Sequence, residues 1–515
     1  MKNKLYLPVI SGLCSLLVAS CINDIGNYEY EDAHKIFPVT ISGLPRDTTV
    51  RMNTAFKIVP NVQGTESGDY SYNWNIMRSV TDGVAPQKTI LSQERILDIT
   101  LPPVLDAGRY FLNLEVRDIN RNVYVRQQIN LTLTASDMST GWYILKDIDN
   151  ETDFDYISSN GSVRVADVLL HRATPSRRLP GTAVQMIYQS GGYYHTITDT
   201  DGSVITLNGQ QVFHILSSGD INTFKASNME RYKTFEDQFY GPLFPSVRPQ
   251  SILFASGMGD LFLVNDGSIH SINGMSANIG KYPAAKIGIY SMHRDMISPT
   301  FSNALLFDLL SNTFYSTTAS GNTINRLAEE SANASNPIGI SPSNMDYTLL
   351  NLLPRNDAML SISAYAVMKR ITDDTYHLFG VNFSYTGSTA YPFTSYNPII
   401  PSAKMPLAQV KAAPNSGNFI YFADDNKLCV YKNYVPMGEE VLKEYPEGET
   451  IAYIQHLIVY GLNSPSGWLV VLTNSAAGWK LYAHSVIGLG NPEFNTDPVV
   501  TESGTGNARS FMYRE

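Results

Sequence analysis

The sequence predicts an all-β protein, a two-sheet β-sandwich followed by a β-propeller-like domain of about seven blades. Three observations carry that reading. Apolar and polar residues alternate with period two between positions 39 and 134, the pattern of half-buried strands. Turn-forming Asp, Asn and Gly pairs then recur at intervals of roughly 50 to 60 residues, the signature of a repeated supersecondary unit. The composition agrees, with 31 Tyr, 36 Gly and 27 Pro and almost no stretch of helical period. A length of 515 residues with 43% hydrophobic and 16% charged content supports at least two cores.

From the amino end, Lys2 and Lys4 give a positive start, Leu5 to Ala19 an apolar run, and Ala19-Ser20 a small-residue cleavage site, so residues 1–20 read as a secretory signal. The run is too short to span a bilayer. Cleavage there puts Cys21 first in the mature chain, in the setting Val18-Ala19-Ser20-Cys21 that resembles a bacterial lipobox, where the cysteine is acylated. The expected anchor is that lipid. Loss of the two lysines takes the formal charge from −10 to −12. Lys and Arg are nowhere clustered, which argues against nucleic acid as a partner. Residues 21–37, including Asp24-Ile25-Gly26-Asn27-Tyr28-Glu29-Tyr30, are polar and acidic without periodicity and suit a flexible tether. With Cys14 in the signal and Cys21 acylated, Cys429 is left alone as a small buried hydrophobe.

Residues 38–136 are assigned to the sandwich. Tyr70, Tyr72, Trp74 and Ile76 share one face of a strand, as do Tyr110, Leu112, Leu114 and Val116, and then Val123, Val125, Ile129, Leu131 and Leu133. That many alternating strands in one short segment make an immunoglobulin-like sandwich with Trp74 in its core. Residues 137–515 are assigned to the propeller. Hairpin tips are expected near Thr152-Asp153, Asp201-Gly202, Asp266-Gly267, Ser311-Asn312, Asp373-Asp374, Asp425-Asn426 and Ala477-Gly478. Apolar runs such as Leu261-Phe262-Leu263-Val264 and Trp468-Leu469-Val470-Val471-Leu472 are expected as inner strands, with wetter strands outside. The segment Ser510-Phe511-Met512-Tyr513 is expected to return to the first blade and close the ring, since an open ring exposes strand edges.

The lipobox, the Asp24-x-Gly26-Asn27-Tyr28-Glu29-Tyr30 tether, the Tyr72-Asn73-Trp74 strand and the Gly141-Trp142 start of the β-rich remainder together resemble PKD-like lipoproteins of the Bacteroidota. The resemblance covers about the first 160 residues. It implies a lipid-anchored protein on the outward face of the outer membrane, in a nutrient-uptake locus with a TonB-dependent transporter (SusC-type) and a SusD-like lipoprotein as partners. It implies no catalytic residues.

Nine histidines lie singly, with no His-x-His and no His-Glu-x-x-His, so no transition-metal centre and no cofactor is expected. The acidic run Asp147, Asp149, Asp153 and Asp155 could offer oxygen ligands to a structural calcium ion, although it lacks EF-hand spacing. A solvated hairpin tip is the competing reading. Nucleophile elbows and phosphate-cradling Gly loops are absent. Two long inter-blade segments are rich in aromatics: Phe224, Tyr232, Phe235, Phe239, Tyr240 and Phe244 in the first, Phe383, Tyr385, Tyr391, Phe393 and Tyr396 in the second. Flat tyrosine faces suit sugar rings and peptide side chains, so Tyr232, Tyr240, Tyr385, Tyr391 and Tyr396 are the expected ligand contacts. The function expected is capture of glycan or peptide fragments without bond breaking. Its rivals are a carboxylate-dependent glycoside hydrolase or lyase, and a scaffold touching only partner proteins.

Overall fold

The computed structural model describes residues 39–515 except 52–54, 65–68, 80–87, 101–107, 135–137, 199–203, 242–244, 275–279, 301–302, 330–337, 359, 386–388, 459–466 and 489. Cys21, the expected signal and tether, Phe244 and the Asp201-Gly202 tip lie outside the described residues. Two compact units divide between Thr134 and Ala135.

The first unit is a β-sandwich. Its main sheet orders the strands Asp47–Arg51, Val123–Thr134, Gly108–Asp118, Tyr70–Arg78 and Thr89–Ser92. All neighbours are antiparallel except Asp47–Arg51, which runs parallel to Val123–Thr134. Pairs Thr40–Ser42 with Asn61–Gln63 and Ala55–Ile58 with Leu97–Thr100 make up the other layer. The period-two pattern lands as expected: Trp74, Leu112, Leu114, Val116 and Ile129 are fully buried in one cluster. The opposite face is not simply wet. Asn75 and Asn113 are buried there, Asn113 Nδ2 donating to Asn75 Oδ1 at 3.3 Å and Asn75 Nδ2 to Asn73 Oδ1 at 3.1 Å, while Asn113 Oδ1 has no partner among the described residues. A buried amide costs little only when so paired.

Beyond Ala135 the strands form seven sheets in chain order, the blades of a propeller. Blade one is closed from both ends of this unit: Asn507–Arg514 pairs antiparallel with Gly141–Ile148, placing the last strand innermost in the first sheet. The ring thus leaves no inner edge unpaired at its seam. Five of the expected tips fall in the turn between the second and third strands of a blade, including Asp266-Gly267 and Asp425-Asn426, where Asp266 and Asp425 adopt positive φ. Two do not. In blade one the turn is Asp149-Asn150, three residues earlier than expected, and Thr152-Asp153 belongs to the strand Glu151–Ser158. In blade two the corresponding turn is Ser218-Gly219, and the expected Asp201-Gly202 lies outside the described residues. A repeat of turn residues cannot say which end of a blade a turn occupies.

The apolar runs are second strands, not inner ones. Asp260–Asn265 and Asn303–Asp308 are buried along their whole length, whereas outermost Gly438–Glu444 has no buried residue. A second strand has a strand on each side and a neighbouring blade on each face. An inner strand turns one edge to the central channel and therefore carries polar residues. Between blades the cores are separate clusters: one joins Phe154 and Tyr143 of blade one to Phe213 and Ile215 of blade two, another Tyr365 and Val367 of blade five to Ile420 and Tyr431 of blade six. Cys429 is buried in the latter, and burial pushes its thiol up to about 11. It is inert at neutral pH.

Candidate functional site

The inner strands of the blades surround a cavity of about 440 Å³ on the propeller axis, lined by Gln185, Ser251, Arg294, Asp295, Asn351, Gln409, Lys411, Tyr453, Arg509 and their neighbours. Ligand sites commonly occupy a few hundred Å³. Inner strands of adjacent blades do not pair through their backbones, and side chains bridge them instead. Gln185 Oε1 accepts from the Ile252 amide at 2.8 Å, and Ser251 Oγ donates to the Arg294 carbonyl at 2.5 Å. Asp295 Oδ2 accepts from the Leu352 amide at 3.0 Å, and Lys411 Nζ donates to Asn351 Oδ1 at 2.7 Å. Asn415 donates its amide to His456 Nδ1 at 3.2 Å. Asn474 and Ala508 exchange two bonds at 2.8 and 3.0 Å, and the Ala183 amide donates to Asp147 Oδ1 at 2.5 Å. These contacts step around the whole ring, each joining one blade to the next.

Three cations line the cavity against one carboxylate. Arg294 lies 3.7 Å from Asp295, with its side chain two-thirds exposed. Arg509 Nε donates to Asp147 Oδ2 at 2.5 Å, which leaves its terminal nitrogens unbonded among the described residues. Lys411 differs, because its ammonium is held only by neutral oxygens, Asn351 Oδ1 and the Ala408 carbonyl at 2.5 Å. Burial lowers its pKa to about 8, with Asp295 acting weakly the other way. Counting Asp147 behind Arg509, the site keeps one net positive charge inside a chain of charge −10. In a low-dielectric channel such an excess is felt strongly by an incoming anion.

The tyrosines expected from the sequence do not converge. Tyr232 is buried, its hydroxyl donating to Gln210 Oε1 at 3.0 Å. Tyr391 donates to the Ile340 carbonyl at 2.8 Å and packs on the core of blades four and five. Tyr396 stacks on His377 at 5.2 Å and bonds the Tyr347 hydroxyl at 3.1 Å. Tyr240, 42% exposed, and Tyr385, 39% exposed, reach the surface. They sit at opposite ends of the propeller: Tyr240 is in the link from blade two to blade three, Tyr385 beyond the third strand of blade five, away from its Thr372–Asp374 turn. Phe224, Phe235, Phe239, Phe383 and Phe393 are all buried between blades.

The acidic run is likewise dispersed. Asp147 bonds the next blade and Arg509. Asp153 accepts from the amides of Phe154 and Leu169, both at 2.8 Å, and lies 3.3 Å from Arg178 Nε; burial still raises its pKa to about 6. Asp155 contacts Lys146 Nζ at 2.6 Å and accepts from Trp479 Nε1 of the last blade at 2.9 Å. Asp149 is exposed in the turn. Strand pairing explains the scatter, since these carboxylates serve neighbours on different sides of the sheet rather than one loop. Among the described residues no group of three or more His, Cys, Asp or Glu is arranged to hold a metal ion. The blade histidines are hydrogen-bonded: His214 between Gln189 and Thr223, both at 3.0 Å, and His484 between Tyr445 and the Asn495 carbonyl, both at 3.0 Å.

A model of the PKD-like family matches residues 21–178, less than a third of the chain, running past the sandwich into the first blade. No curated protein matches. Among solved structures, a quinonprotein alcohol dehydrogenase-like protein from Bacteroides thetaiotaomicron is 12% identical, with 91% of this chain and 97% of that one covered and a TM-score of 0.43. The dihydro-heme d1 dehydrogenase NirN is 8% identical over 74% of this chain and 76% of that one, TM-score 0.38. PorZ, a surface component of the type-IX secretion system of Porphyromonas gingivalis, is 9% identical over 73% and 52%, TM-score 0.28. The propeller described here rests on its own seven sheets and closing strand.

Proposed function

We propose that this protein is a lipid-anchored, outward-facing lipoprotein of the outer membrane that binds fragments of nutrient polymers without cleaving them and passes them to a TonB-dependent uptake complex with a SusD-like partner. One observation carries the binding part: a cavity of about 440 Å³ whose wall is fixed by inter-blade bridges yet keeps unbonded donors on Lys411, Arg294 and Arg509. A wall held rigid before the ligand arrives loses little entropy on binding. The location part is supported by the signal and Cys21 in the sequence and by the PKD-like match that begins at that residue.

Calorimetric titration of the purified protein with glycan and peptide fragments, with the recovered ligand analysed for cleavage, tests the reading. Saturable binding with intact ligand is expected. Cleaved product overturns it in favour of a hydrolase or lyase. For the anchor, Cys21→Ala is expected to release the protein from membranes, and retention through a high-salt wash refutes that part.

A further inference from the structure

We infer that the axial cavity selects an acidic sugar, a short oligosaccharide whose carboxylate is received by Lys411 with Arg294 and Arg509 beside it. This rests on the binding reading above and adds the ligand's chemistry. The charge requirement comes from Lys411. A half-buried ammonium still favours compensation, and here its acceptors among the described residues are two neutral oxygens, with its third hydrogen unused. A carboxylate at that point supplies both the missing acceptor and the missing charge. Arg509, tied through Nε alone, and Arg294, whose guanidinium makes no hydrogen bond among the described residues, add the planar donor pairs that carboxylates accept in parallel.

The sugar requirement comes from how the wall is bonded. An acidic peptide lying along an inner strand would need that strand's edge amides and carbonyls. Several of these are already taken: the amides of Ile252 and Leu352 and the carbonyl of Arg294 each bond the side chain of an adjacent blade. What the wall still offers is side-chain chemistry, the amide NH2 groups of Gln185 and Asn351 with Gln409 and Ser510 beside them. Converging amides and hydroxyls suit the clustered hydroxyls of a sugar ring. Tyr453, edge-on to Phe511 at 5.6 Å, gives the same wall an apolar side.

Trigalacturonate, maltotriose and triglutamate, titrated separately into the full mature protein, decide it. Trigalacturonate is expected to bind at least tenfold tighter than the other two, and to weaken several-fold between low salt and 0.5 M salt. Lys411→Met is expected to abolish that preference and Lys411→Arg to retain most of it. Should Lys411→Met fail to fold, Arg294→Gln serves, since that side chain is largely in solvent; a loss of about threefold and a shallower salt dependence are expected. Equal binding of maltotriose leaves the binding function standing and overturns the acid preference. Tighter binding of triglutamate overturns the sugar assignment. No binding by any of the three defeats the binding function as well.

Discussion

The sandwich and the propeller solve the same problem, burying period-two strands, in opposite ways. In the sandwich one apolar cluster gathers residues from Val39 to Leu133, so every strand contributes to a common interior. In the propeller the large apolar clusters each lie at a junction between two sheets, and only the small group Tyr193, Val212 and Tyr232 belongs to one blade among the described residues. Charge is used differently too. The sandwich buries no cation in its described ion pairs, and in Lys57–Asp98 each side chain is 59% exposed. Blade one buries Lys146 completely, against Asp155 and Asp167 at 2.6 and 2.9 Å, beside Trp479 of blade seven. A pooled core tolerates local loss poorly everywhere, while a ring concentrates its risk where the first and last blades meet.

The largest effect expected follows from the pooled core. Trp74→Ala should destabilise the sandwich by about 3–5 kcal/mol, the range for emptying a buried aromatic site. Hydrogen exchange should rise throughout residues 70–134 and not in blades three to five. Next, Asp155→Ala should cost about 3 kcal/mol, because it strips one carboxylate from a buried ammonium and the acceptor from the Trp479 indole. Exchange should rise first in 141–158, 478–485 and 507–514; a uniform rise around the ring would erase the contrast drawn between seam and remainder.

Acid gives a third, smaller separation. Burial holds His214 at a pKa of about 3 and His484 at about 4. Both stay neutral when folded but take up a proton near pH 6.5 when unfolded, so their contribution is intact above 6.5 and is lost as pH falls below it. Asp153, raised to about 6, works in the opposite sense and recovers some stability over the same range. Taken by themselves, two histidines against this one carboxylate lower propeller stability by about 2 kcal/mol at pH 5, while His270 and His293 add to the loss and Asp220 and Asp260 offset it. Residues 39–134 contain no histidine, and the sandwich should show none of that loss. Urea unfolding at pH 7 and pH 5, read by exchange in each unit, checks it. The smallest effect is at the surface: Tyr240→Ala and Tyr385→Ala should each change stability by under about 0.5 kcal/mol. The same change at buried Tyr232 should cost several times more, and equal melting temperatures for all three would put Tyr232 back among the accessible residues.

Much of the architecture was legible because it is local. Alternation gave the face of Trp74, and residues that accept positive φ, namely Asp266, Asn312, Asp374, Asp425 and Gly478, marked five blade tips. The closing strand was legible because an open ring would leave strand edges exposed. The cavity was not. Gln185 and Ile252 are 67 residues apart, Asn351 and Lys411 are 60 apart, and none of the four stands out on its own strand. Only ring closure brings them together. The aromatics misled for a related reason. Phe235 and Phe239 lie in a link between blades, and that link packs into the wedge between two sheets, joining Leu216 of blade two to Leu261 of blade three. Sequence shows that the link is long, not that it is swallowed.

The seam also sets an order of assembly. Gly141–Ile148 receives its inner partner only when Asn507–Arg514 exists, and every other blade is translated between them. A chain made from the amino end must therefore hold its first blade half-finished, with Trp142 lacking the Phe511 and Tyr513 rings that later cover it at 5.7 and 4.6 Å. At roughly 5 to 20 residues per second that vigil lasts tens of seconds. It is a standing invitation to holdase chaperones on the nascent polypeptide, and a reason for trouble should a tag be fused where those final residues must slide home.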